Sequence, residues 1–169
     1  MKKLGERQTK IFCQLMDGIN AGHEYVRILN GERMPLDVVI VNETFEWPFN
    51  GLSAQEYELC QYYDINGDVV RNPLMGFVVL DGRSDKNNDP ALVEIYPYKF
   101  EKGLPYAFTQ SIQLINEDVY QINRSLQRAQ VIIAENWIDE LSEQGFLDQL
   151  QKGNIEQDDD DDENDDEIE

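Results

Sequence analysis

One imidazole, two thiols and a large excess of carboxylates make up the reactive inventory: His23, Cys13, Cys60, and 34 Asp+Glu against 14 Lys+Arg in 169 residues. A histidine works as a general base when a nucleophile or a proton-bearing substrate stands within hydrogen-bond reach. His23 follows the helix-stopping Gly22 and precedes a β-rich stretch, with no Ser or Cys nucleophile at a recognisable spacing, so it reads as a loop residue. Zinc needs ligands in close pairs, which two distant thiols and one imidazole do not supply, so no metal is expected. Cys13 and Cys60 both have apolar neighbours and read as buried thiols. The run Asp64-Ile65-Asn66-Gly67-Asp68 opens like a calcium loop, but its glycine is fourth rather than sixth and position twelve is Met75. It reads as a plain Asn-Gly turn. Neither Gly-x-x-x-x-Gly-Lys nor Gly-x-Gly-x-x-Gly occurs, and no cofactor is expected.

The carboxylates are unevenly placed. Residues 156–169 hold 11 acids and no base, which leaves residues 1–155 with 23 acids, 14 bases and a net charge of −9. A protein that coats a nucleic-acid backbone with its whole surface needs the opposite sign. A run of carboxylates resembles a phosphate backbone in charge, and a protein partner with a basic surface would meet it favourably. The candidate contacts are Asp158, Asp159, Asp160, Asp161, Asp162, Glu163, Asp165, Asp166 and Glu167. Like charges repel and bury nothing, so this tail is expected to be disordered alone. The 23 acids of the body offer many pairs for hydrolytic chemistry, and no spacing singles one out.

The scarce bases form two groups. Lys3, Arg7 and Lys10 share one expected helix face with Lys2 adjacent, and Arg124 and Arg128 are one turn apart. They fit a phosphate-contact strip, a solvated helix surface, or a surface that the acidic tail shields. Tyr62, Tyr63, Tyr96, Tyr98, Tyr106 and Phe108 could stack bases on a sheet, but only Lys99 and Lys102 interleave them, so core packing is the expected use. No run of about 18 apolar residues marks a membrane span, and polar residues 7–10 interrupt any leader core. A cytoplasmic protein is expected, which makes the Asn-x-Thr at Asn42 and the Asn-x-Ser at Asn123 chance matches.

Hydropathy patterning supplies the elements that must hold these residues. Ile11, Phe12, Leu15, Met16 and Ile19 recur at helical spacing, predicting a helix over 3–20. Tyr25 to Leu29, the dipeptide Asn30-Gly31 and the alternation at Met34, Leu36, Val38 and Ile40 predict a hairpin closed by a type I′ turn. Ser53 with Glu56 has the spacing of a capping box, predicting a short helix over 54–63 that carries Tyr57, Cys60 and Tyr63. Residues 74–80 read as a strand, 81–90 as a flexible connection, and two alternating strands follow through Phe100 and Leu114. Pro97 has no amide to donate, so its strand lies at an edge or carries a bulge. Val119, Ile122, Leu126, Ala129, Ile133, Trp137 and Leu141 predict a long final helix ended by Gly145, either wholly intramolecular or partly a dimer seam.

Met34-Pro35-Leu36, Tyr62-Tyr63-Asp64-Ile65-Asn66-Gly67-Asp68, Asn72-Pro73-Leu74-Met75, Tyr96-Pro97 and Leu15-Met16 resemble a family of small uncharacterised domains encoded largely by bacterial phages, plasmids and conjugative elements. The likeness covers roughly residues 8–110, with Asn72 where that family usually has Asp. It implies a setting, a mobile genetic element, and no mechanism.

The expected fold is α+β: one domain over 1–155, an antiparallel sheet of about five strands covered by helices in the order α-β-β-α-β-β-β-α, and an acidic tail over 156–169. The expected function is non-enzymatic binding, and inhibition, of a basic nucleic-acid-binding protein such as a defence nuclease or polymerase. The alternatives are a nucleic-acid-binding accessory protein regulated by its own tail, and an enzyme with an unrecognised carboxylate site. The tailed form is not expected to bind nucleic acid, and the sequence leaves the oligomeric state open.

Overall fold

Helical and strand periodicities segregate along this chain into an α+β fold, seen in a computed structural model that describes residues 1–19, 23–103, 107–115 and 119–157. Helix α1 (Glu6–Gly18) is followed by β1 (Tyr25–Ile28), β2 (Leu36–Glu46), β3 (Ser53–Ile65) and β4 (Asp68–Asp81). A 3-10 turn at Pro90–Leu92 leads into β5 (Val93–Lys102), β6 (Ala107–Gln110), β7 (Ile112–Ile115) and β8 (Val119–Ile122). Helices α2 (Arg124–Glu143) and α3 (Phe146–Gln151) and strand β9 (Ile155–Gln157) complete the order.

Seven strands form one antiparallel sheet in the order β6-β5-β4-β3-β2-β1-β9, and β7 with β8 forms a separate hairpin. Side chains alternate across each strand, so every second residue faces the helices. Val26, Ile28, Leu36, Val38, Tyr57, Leu59, Met75, Phe77, Val79, Val93 and Ile95 fill that face. Phe12 and Leu15 of α1, Val131, Ala134, Ile138 and Leu141 of α2, and Phe146 of α3 pack against them. The opposite face has a smaller apolar cluster at one end, built on Trp47, Ala54, Val78, Leu80, Tyr98 and Ile112. Its remaining side chains are mostly polar.

Four local expectations are corrected. Residues 54–63 are strand, not helix: β3 pairs with β2 from Ser53 to Cys60 and with β4 from Gln55 to Ile65. Ten residues fit either period, and two long neighbouring ladders outweigh a single capping pattern. Nine strands form among the described residues where about five were expected. The type I′ signature lies at Asn66 and Gly67, with φ of 55° and 90°, not at Asn30-Gly31. Asn30 instead donates from Nδ2 to the Gln144 carbonyl at 2.8 Å, tying the β1–β2 connection to the end of α2. Segment 81–90 is anchored, because Arg83, its side chain 9% exposed, holds Asp81 at 2.7 Å and Asp17 at 3.0 Å.

Helix α2 also starts later than the apolar stripe implies. Val119 and Ile122 belong to β8, and Asn123 caps the helix by accepting from the Leu126 amide at 3.0 Å. Its buried face runs through Gln127, Gln130, Val131, Ala134, Trp137, Ile138 and Leu141, which leaves Ile132 and Ile133 exposed. Strand β5 is internal and carries a register shift beside Pro97, the bulge that a proline without an amide proton requires.

Candidate functional site

On the open sheet face, charged side chains meet by cross-strand pairing. Arg27 of β1 lies opposite Asp37 of β2 and grips it with two hydrogen bonds, Nε to Oδ1 at 2.8 Å and Nη2 to Oδ2 at 3.1 Å. The Tyr25 hydroxyl donates to the same Oδ1 at 3.1 Å. The Arg27 guanidinium sits 5.0 Å from the Tyr62 ring centre and 5.8 Å from that of Tyr25, within cation–π range. The hydrogen bond to Asp37 pushes the Arg27 pKa up against the opposing effect of burial. Burial, then the Asp37 charge, pushes the Tyr25 phenol up. Along the same face Lys99 pairs with Glu58, the Tyr98 hydroxyl donates to Glu56, and Arg71 reaches Glu101 at 2.9 Å. The face carries charges matched across strands, with aromatic partners.

Tyr62 therefore serves as a platform for Arg27, whereas the sequence pointed to core packing for it. Tyr96 stacks on Trp47 with ring centres 6.0 Å apart, and its phenol is pushed up to about 12 by burial and the Glu94 hydrogen bond. The signal for Arg27–Asp37 was present in the sequence: two opposite charges on facing hairpin strands. Reading it required the longer connection between β1 and β2.

The expected basic strip divides. Lys3 lies ahead of α1 and bonds Glu94 at 3.1 Å, Arg7 meets Asp139 at 3.3 Å, and Lys10 meets Glu6 at 2.6 Å within the helix. The bases at the N-terminal end of the chain are thus spread over three carboxylates instead of forming one positive surface. Arg124 and Arg128 do come together, and Lys2, outside the expected face, joins them. With Met1 and Gln127 they line a cleft of about 260 Å³. Gln127 is fully buried and clamps Lys2, accepting from its amide at 2.9 Å and donating to its carbonyl at 2.7 Å. Arg124 also lines a neighbouring cleft of about 550 Å³ with Gln110, Ser111, Gln113, Gln121, Ile122, Asn123 and Ser125.

Asp158 to Asp162, Glu163 and Asp165 to Glu167 lie outside the described residues. Two residues assigned to the tail are in the sheet, where Glu156 pairs with Arg27 and Gln157 with Val26. Cys13 and Cys60 are free and buried, and burial pushes their thiols up to about 11 and about 12. His23 is half-buried just before β1. No helix among the described residues is long and apolar enough to cross a membrane.

No curated protein and no solved structure matches the chain. A family does, over residues 7–147, from the first turn of α1 into α3. The match runs well past residue 110, so the long helix lies inside the shared region instead of beyond it. With most of its length matched, the chain belongs to the family described as Domain of unknown function (DUF6908).

Proposed function

We propose that this is a non-enzymatic interaction protein of a phage or other mobile genetic element. It binds a basic nucleic-acid-binding protein through its acidic surface and the run that follows β9. One observation carries the reading. Among the described residues, seven of the fourteen basic side chains are held in ion pairs with carboxylates of the chain itself. Half of the positive charge is consumed inside the molecule, and the surplus negative charge is left for a partner. Such a surface steers a cationic partner and competes for a nucleic-acid channel. The mobile-element setting rests on the sequence resemblance.

The test is capture of a basic DNA-binding partner by the full chain and by a chain ending at Gln157, each at two salt concentrations. The cut falls at Gln157 because an earlier one would remove β9 pairing with β1. Affinity for the full chain is expected to fall steeply with salt and to drop about tenfold or more without residues 158–169. Equal affinity for both chains rejects the role of the tail.

The cluster of Lys2, Arg124 and Arg128 favours a second reading, a nucleic-acid-binding accessory protein shielded by its tail. The two separate cleanly. Shortening the chain to Gln157 raises affinity for DNA or RNA under the second reading and creates none under the first.

A further inference from the structure

Lys2, Arg124 and Arg128 contrast with the rest of the surface. Acids outnumber bases 34 to 14, yet among the described residues those lining the two adjoining clefts include three cations and no carboxylate. Among the described residues none of these three cations has an ion pair, whereas seven other bases do. A hollow lined by three cations attracts an anion.

The smaller hollow is also built. Gln127, 0% exposed, spends both amide protons on carbonyls, that of Lys2 at 2.7 Å and that of Pro97 at 3.2 Å, and accepts from the Lys2 amide. This pins the main chain before α1 against both α2 and β5, so Lys2 is presented beside Arg124 and Arg128, which share a helix face one turn apart. Holding the cations close before binding lowers the ordering cost of binding. Guanidinium forks suit phosphate oxygens, and the lysine adds a point charge. The larger hollow is walled mainly by amides and hydroxyls, from Gln110, Gln113, Gln121 and Ser125, with Ile122 as the one apolar side chain among the described lining residues. Such a wall suits a hydrogen-bonding body, and its volume of about 550 Å³ is that of a small-molecule site.

We propose that the paired clefts bind a phosphorylated small molecule. Its phosphate sits among Lys2, Arg124 and Arg128, and its polar body, a nucleoside or a sugar, lies along Gln110, Gln113, Gln121 and Ser125. Arg124, which lines both hollows, is the hinge of the recognition. Nothing in this depends on residues 158–169, so its failure leaves the acidic-tail reading intact.

The experiment is isothermal titration of the full chain at low salt with AMP, glucose 6-phosphate, inorganic phosphate, adenosine and a short single-stranded oligonucleotide. A phosphorylated compound is expected to bind at least about tenfold more tightly than inorganic phosphate or adenosine, since charged hydrogen bonds and the amide wall act together. AMP as the tighter ligand identifies a nucleoside body, and glucose 6-phosphate as the tighter one a sugar. Arg124→Ala and the charge reversal Arg128→Glu, both at exposed positions, are expected to weaken that binding about tenfold or more with unchanged circular dichroism. Gln113→Ala is expected to weaken the phosphorylated compound while leaving inorganic phosphate unaffected. Equal binding of all anions, equal binding of AMP and adenosine, binding of the oligonucleotide alone, or no binding overturns the proposal.

Discussion

Asp37 shows how much one side chain holds. It is 8% exposed, takes both arms of Arg27 and the Tyr25 hydroxyl, and lies opposite the buried Cys60. Asp37→Asn replaces an acceptor-only group by an amide, so one bond to Arg27 is lost and an amide proton is turned toward a cation. Unfolding in urea is expected to show a loss of about 1.5–3 kcal/mol, the range for bonds to charged groups. A variant as stable as the parent would mean that water already satisfies Arg27. These groups were individually visible in the sequence, but their convergence was not. Arg27 and Asp37 are ten positions apart, and only the register of β1 against β2 makes them neighbours. Tyr62 arrives from a third strand, and no local pattern announces that.

At the scale of elements, legibility followed the strength of local signals. Helix α1 and the later part of α2 were evident because an apolar stripe persists over several turns. Strand β3 was misassigned because Tyr57, Cys60 and Tyr63 also fit a helical period over a short span, and pairing with β2 and β4 is a long-range effect. The beginning of α2 was misplaced because Val119 and Ile122 prolong the stripe into β8, while Asn123 supplies the physical start. Asn123→Ala removes the acceptor for the Leu126 amide, and thermal unfolding is expected to show a loss of about 0.5–2 kcal/mol. The same change loosens the turn that carries Arg124. No measurable loss would show that the helix start is held by tertiary contacts alone.

For the whole molecule, pH sets two opposing trends. Lowering the pH toward the isoelectric point near 4.2 relieves self-repulsion in a chain of charge −20 and raises stability. Below that, carboxylates held in their charged form must protonate. Glu94 is held below its ordinary 4.5 by the Tyr96 hydroxyl and Lys3, with burial opposing. For Asp81, burial acts upward, yet the Arg83 hydrogen bonds prevail and hold it below 3.8. A depressed folded pKa means stability present above the unfolded value and lost as pH falls through the folded one. The melting temperature is therefore expected to rise modestly from pH 7 to about 5 and to fall below about pH 4.5. A melting temperature still rising at pH 3.5 would contradict this balance. The charge asymmetry behind it was plain from the composition. The neutralisation of half the bases within the fold was not, because most of the pairs, unlike the local Lys10–Glu6, join residues far apart in sequence.

Strand β9 has a consequence in time as well as space. It pairs with β1 through Val26–Gln157 and Ile28–Ile155, joining a strand inside the matched region to one beyond it, with most of the chain between them. The sheet therefore cannot close on that side until residue 157 has been synthesised, and the outer edge of β1 bonds water until then. Contacts of such sequence separation are slow to form, because the loop between them must be ordered first. The completed sheet should thus be the last part of the fold to gain protection from hydrogen exchange, and β1 the strand that waits.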